Sequence, residues 1–150
     1  MPSTTSAMIT ALDAFEADST DAATVSALYG LTEEFDTLAN EDKAQVIPAM
    51  FRLMERWPEA DLGSPGPLVH SIESLGVPMY EALLVESVRR QPMYLNLWMV
   101  NRILNTAPAG PRRTALLALL LDVRADPKWA GLPSDVATGF LKYPSERAAD

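Results

Sequence analysis

Ten of the twelve prolines in this 150-residue chain fall between positions 58 and 144. They cut that part of the sequence into apolar stretches of about 10–16 residues. Proline lacks an N–H and clashes with the preceding turn, so it interrupts a helix interior. It sits well in a first helical turn or just past an end. Most of the stretches repeat apolar residues with helix period, and none alternates as a strand does. Short helices with tight connections pack as antiparallel neighbours. The expectation is an all-α fold, seven or eight short helices in antiparallel hairpins, stacked right-handedly in the HEAT-like manner. Such stacks present surfaces to macromolecules and seldom enclose a deep catalytic cleft.

Composition narrows the class. At this length one domain is expected, and 48% hydrophobic residues supply a core. The absence of cysteine excludes disulfides, thiol nucleophiles and thiolate metal sites, and fits a reducing cytosol. Met1–Thr10 has no basic residue ahead of an apolar run, so no secretory leader is expected. The longest strictly apolar run, Ala115–Leu121, is far short of the ~20 residues a membrane helix needs. A soluble, cytoplasmic protein follows as the expectation.

Charge is unevenly spread. Residues 1–61 hold 12 acids and 3 bases, a balance of −9, whereas residues 62–125 hold 4 acids and 6 bases, a balance of +2. A negative field over the N-terminal third repels nucleic acid and draws in positively charged partners. The ordinary alternative is that these acids solubilise exposed helix faces.

Along the chain, Thr4 or Thr5 can cap a first helix with Met8, Ile9, Leu12 and Phe15 inward. Asp18–Asp21 reads as a turn before a short helix closed by Gly30, with Val25, Leu28 and Tyr29 inside. Thr32 opens a brief turn or helix, and Asn40 caps a longer one in which Pro48 predicts a kink or a restart. Residues 58–67 form a Pro/Gly loop between an acidic half (1–57) and a C-terminal helical half (68–143), with a loose tail at 144–150. In the C-terminal half, helices are predicted at Leu68–Leu75, Met79–Arg90 and Met93–Ala107. A fourth, Arg112–Arg124, is apolar nearly all round and so reads as central, and Ser134 caps a last one with Val136, Phe140 and Leu141 inward.

Catalytic signals are weak. His70 is the only histidine; with Ser71 and Glu73 it makes His-x-x-Glu, but one histidine cannot build a histidine-rich zinc site. No nucleophile elbow, phosphate-binding loop or dinucleotide fingerprint is present. Glu33, Glu34, Asp36, Glu41 and Asp42 do not have calcium-loop spacing, so they read as a solvated or partner-facing surface. No catalytic residue, cofactor or metal is expected. Tyr94, Trp98, Asn101, Arg102 and Asn105 share one helical stripe, opposite Leu97, Val100, Ile103 and Leu104. Aromatics beside amides and an arginine have hot-spot composition. The competing reading is an internal network in which Arg102 caps a neighbour's carbonyls. Arg89 and Arg90 fit a helix C-terminus, where positive charge is favoured.

Three segments, 63–70, 80–87 and 98–105, together resemble small helical immunity proteins of bacterial polymorphic-toxin and contact-dependent inhibition systems. They read Gly-Ser-Pro-Gly-Pro-Leu-Val-His, Tyr-Glu-Ala-Leu-Leu-Val-Glu-Ser and Trp-Met-Val-Asn-Arg-Ile-Leu-Asn. The resemblance spans about residues 63–106 and carries no catalytic motif. It implies a HEAT-like fold, a cytoplasmic location and one cognate toxin partner, a nuclease in many such systems. A basic toxin would suit the acidic third, so the two surfaces expected to meet it are the acids at 33–42 and the stripe at 94–105. The alternative is a helical scaffold or adaptor that holds a peptide or partner helix in a groove.

Overall fold

A computed structural model describes residues 4–17, 22–58, 60–63 and 66–127. All regular structure among them is helical: α1 (Thr4–Ala14), α2 (Ala22–Asp36), α3 (Asn40–Arg56), α4 (Gly66–Glu73), α5 (Val77–Arg90), α6 (Tyr94–Thr106) and α7 (Pro111–Ala125). The all-α expectation holds. No described helix is long and apolar enough to cross a membrane. The predicted turn at Asp18–Asp21, the helix opened by Ser134 and the tail at 144–150 lie outside the described residues.

The chain divides into two compact units, Met1–Leu83 and Leu84–Asp150. In the first, α1 packs on α2 and α3, and α4 packs on α2 and α3. Its core is built from Leu12, Leu28, Phe35, Met50, Phe51 and Ile72, all essentially inaccessible. The residues of the 58–67 connection belong to this unit, and Pro67 takes its place in the first turn of α4.

Several boundaries differ from the sequence expectation. Both Thr4 and Thr5 lie within α1, and Thr5 is buried. Gly30 does not close a helix; α2 continues through it to Asp36. A mid-helix glycine costs about 1 kcal/mol relative to alanine. Carrying the stripe Leu28–Thr32–Phe35 inward buries a whole phenylalanine, which is worth roughly 1.5–3 kcal/mol. Burial wins, and Tyr29 turns outward instead of inward. At the next helix Ala39 occupies the cap position and Asn40 is the first helical residue, with no side-chain cap bond; Glu41 and Asp42 supply the favourable charge of the first turn. Pro48 neither ends nor restarts α3, which runs unbroken from Asn40 to Arg56. It is held by the buried row Val46, Ile47, Ala49, Met50, Phe51, Leu53 and Met54.

Two arginines tie α3 to the end of α1. Arg52 Nε and Nη2 donate to the Asp13 carboxylate at 3.1 and 3.0 Å. Arg56 Nη2 donates to the carbonyls of Leu12 at 2.9 Å and Phe15 at 3.4 Å, and Trp57 Nε1 donates to that of Phe15 at 3.3 Å. The last carbonyls of a helix have no partner within it, so these donors replace water there.

In the second unit α6 packs against α7. Val88, Leu97, Met99, Val100, Leu104 and Leu120 are fully buried. Of α7 only Leu116, Leu119, Leu120 and Val123 turn inward, while Leu121 is 51% exposed. The expectation that this helix is central is therefore corrected, because its inward residues occupy one side of the helix only.

Candidate functional site

The two groups of residues expected to meet a partner fall on different units. The acids bracket the α2–α3 turn in the first. Phe35, fully buried, anchors the last turn of α2. That turn closes through Thr37 N–H and Leu38 N–H, which donate to the carbonyls of Glu34 and Phe35 at 3.1 and 3.0 Å. The Thr37 hydroxyl adds a 2.7 Å bond to Glu34 O. Glu33, Glu34 and Asp36 stand exposed on one side of the turn, with Glu41 exposed and Asp42 half-buried on the other. None of these five carboxylates enters an ion pair or side-chain hydrogen bond among the described residues. Lys43 is the sole lysine or arginine in residues 1–51, and its Nζ lies 5.5 Å from the centre of the Phe35 ring. The one local cation is thus committed to an aromatic face. The turn keeps its negative charge.

The stripe belongs to α6, in the second unit. Successive members one turn apart make an outward ridge: Tyr94 is 44% exposed, Trp98 is half-buried, and Arg102 is exposed with its guanidinium 4.8 Å from the Trp98 ring centre. Stacking of this kind fixes a long side chain over an apolar platform. Asn105 is exposed beyond it. Asn101 is half-buried, and its Oδ1 is a buried acceptor with no donor among the described residues. The opposite side, Leu97, Val100, Ile103 and Leu104, is buried as the periodicity requires.

The carbonyls at the end of α6 itself are served from the next helix. Arg113, in the first turn of α7, donates through Nη1 to Leu104 O at 2.6 Å and Ala107 O at 3.0 Å. These are carbonyls at the C-terminal end of α6, where a cation also opposes the helix dipole. The ridge is further oriented from inside by Asn96, which is wholly buried. Its Oδ1 accepts from Met93 N–H at 2.8 Å, and its Nδ2 donates to Gln91 O at 2.9 Å and to Ser87 Oγ at 3.2 Å. This knot locks the start of α6 to the end of α5. Neither Arg113 nor Asn96 was singled out from sequence. Asparagine at the fourth position of the predicted Met93–Ala107 helix, directly after Met93, Tyr94 and Leu95, is the available signal for the second.

His70 is exposed on α4, beside buried Ser71 and half-buried Glu73. Among the described residues no group of three or more His, Cys, Asp or Glu side chains could hold a metal ion. Arg89 and Arg90 are exposed at the end of α5, and Arg90 Nη1 lies 3.9 Å from Glu86 Oε2. Comparison with protein-family models, with curated proteins and with solved structures gives no match.

Proposed function

We propose that this chain is a cytoplasmic immunity protein, a HEAT-like helical binder that occludes the active site of a basic bacterial toxin domain, such as a nuclease, and performs no reaction itself. The observation that carries the reading is the α6 ridge. Tyr94 and Arg102 are exposed along one side of α6, and the guanidinium stacks on the half-buried Trp98 ring between them. Such a surface holds a protein partner, with well-packed aromatics and arginine carrying most of the binding energy. The acids around the α2–α3 turn act earlier, by steering a cationic cleft toward the chain before close contact forms. The ridge then governs the off-rate.

The deciding experiment is affinity purification of the tagged chain from its native host. Recovery of one basic toxin domain that loses activity in the complex is expected. Trp98→Ala and Arg102→Ala should each weaken that complex at least ~10-fold, the usual scale of a central anchor. Recovery of a peptide-bearing assembly unrelated to a toxin would favour the scaffold reading. His70→Ala should leave neutralisation intact; its loss in a normally folded variant would point to catalysis.

A further inference from the structure

The α6 ridge stands in the longest acid-free stretch of the chain. Residues 87–121 contain no Asp or Glu, whereas no other acid-free run exceeds 12 residues. The same 35 residues hold five arginines, Arg89, Arg90, Arg102, Arg112 and Arg113, and no lysine. Hydrogen bonds place the outer four at the two ends of the ridge. Asn96 ties the end of α5, which carries Arg89 and Arg90, to the start of α6 through Gln91 O and Ser87 Oγ. Arg113 ties the start of α7, which carries the exposed Arg112, to the end of α6 through Leu104 O and Ala107 O. Arg102 lies between these ends, its guanidinium stacked on Trp98. Glu86, one residue before the stretch, is drawn to Arg90 at 3.9 Å. From there to Asp122 every formal charge is positive.

We propose that the ridge receives a carboxylate: an Asp or Glu on an apolar segment of the protein partner, its oxygens on the Arg102 guanidinium and its apolar neighbours against Tyr94 and Trp98. This rests on the ridge being the surface that holds the partner, and adds which charge the partner brings to it. Charge complementarity decides the sign, since like charges across an interface are costly and α6 is bracketed by cations. The planar guanidinium matches a carboxylate through parallel N–H bonds, and stacking on Trp98 orients it beforehand. A partner that is basic overall still carries carboxylates, and these, not its cations, are what the ridge selects. A nucleic-acid strand has a charge on every phosphate and is opposed by the net charge of −8, which weighs far less on a single carboxylate.

The probe is a phage-displayed library of random dodecapeptides, selected on the full-length chain. Peptides directed to the ridge are those that lose binding to Tyr94→Ala or Trp98→Ala, with circular dichroism confirming that each variant keeps its helix content. These peptides should carry more Asp and Glu than Lys and Arg. The leading one, made synthetically, should bind Arg102→Met at least ~10-fold more weakly, the scale of one charge-assisted bond. Exchanging its acid for lysine should abolish binding to the wild type and restore it to Arg102→Glu. Arg124→Met, which removes an exposed charge at the end of α7, should change affinity by less than ~2-fold. Ridge-directed peptides that are neutral or basic, no ridge-directed peptide at all, or an equal loss in Arg124→Met would overturn the proposal. So would an oligothymidylate that binds more tightly than any peptide and loses binding to Trp98→Ala, which gives the face to nucleic acid. The immunity reading fails separately, when affinity purification yields no toxin domain, whichever peptides win.

Discussion

Asn96 shows how much one side chain can hold when every polar atom around it is enclosed. Replacing it with leucine keeps the volume but strands the Met93 N–H and the Gln91 carbonyl, each bonded to its amide, and removes one bond from Ser87 Oγ. Each buried orphan costs about 1–3 kcal/mol, so Asn96→Leu should lose roughly 3 kcal/mol or more in urea unfolding. A loss below ~1 kcal/mol would show that the knot is dispensable. Gly30 predicts the opposite sign. It lies mid-helix in α2, is exposed, and a Cβ there meets nothing within 4 Å. Gly30→Ala should therefore stabilise the protein by about 0.5–1 kcal/mol, through lower unfolded-state entropy, and raise the thermal midpoint by a few degrees. The local rule that glycine stops helices misled the reading here because it weighs a cost of ~1 kcal/mol without the long-range burial of Phe35 that opposes it. The exposed acids and the outward stripe were legible, since charge and period decide exposure. Asn96 was not, because its partners come together only when α5 and α6 meet.

At the scale of elements, the C-terminal ends of two helices are finished by arginines from other helices. Arg56 of α3 serves the end of α1, and Arg113 of α7 serves the end of α6. Asn40 caps nothing, and Ala39 and Gly110 provide no side-chain cap bond either. Arg113→Met retains the apolar stem and removes two charge-assisted bonds from a half-buried site. A loss of about 1–2 kcal/mol is expected, with faster amide exchange confined to the last turn of α6. If exchange rises evenly along α6 instead, the bond to Leu104 O is not what secures that end. Helix positions could be read from period and proline because both act within a few residues. Which arginine caps which helix could not, as Arg56 and Leu12 are 44 residues apart in sequence. The same limit applied to α7, whose double-sided apolar pattern read as central although only one side turns inward.

Over the whole molecule, the division into compact units sharpens the charge asymmetry. Met1–Leu83 contains 14 acids and 3 bases, a balance of −11, and Leu84–Asp150 contains 6 acids and 9 bases, a balance of +3. Glu73 and Glu81, beyond the Pro/Gly loop, thus count with the acidic unit. Solubility requires a net charge, but it does not require the two signs to be segregated by unit. Segregation matters for encounter, because a one-signed patch raises the capture rate of an oppositely charged partner while each single charge contributes little once contact is made. The five carboxylates at the α2–α3 turn enter no ion pair among the described residues, and Lys43 is drawn to Phe35. Reversing Glu33, Glu34, Glu41 and Asp42 to lysine changes the local charge by eight. It should slow association with the purified toxin domain by at least ~10-fold at low ionic strength and leave dissociation nearly unchanged. Glu41 and Asp42 also oppose the α3 dipole, so the variant should lose about 1 kcal/mol of stability as well. That loss is too small to unfold the chain, and Glu33→Lys with Glu34→Lys, which touch no helix start, should still slow association. Since exposed charges are screened beyond ~8 Å at physiological salt, raising salt should slow the wild type toward the rate of the reversed variant. Stopped-flow rates that ignore both salt and the reversals would remove steering from the account and leave recognition to the α6 ridge alone.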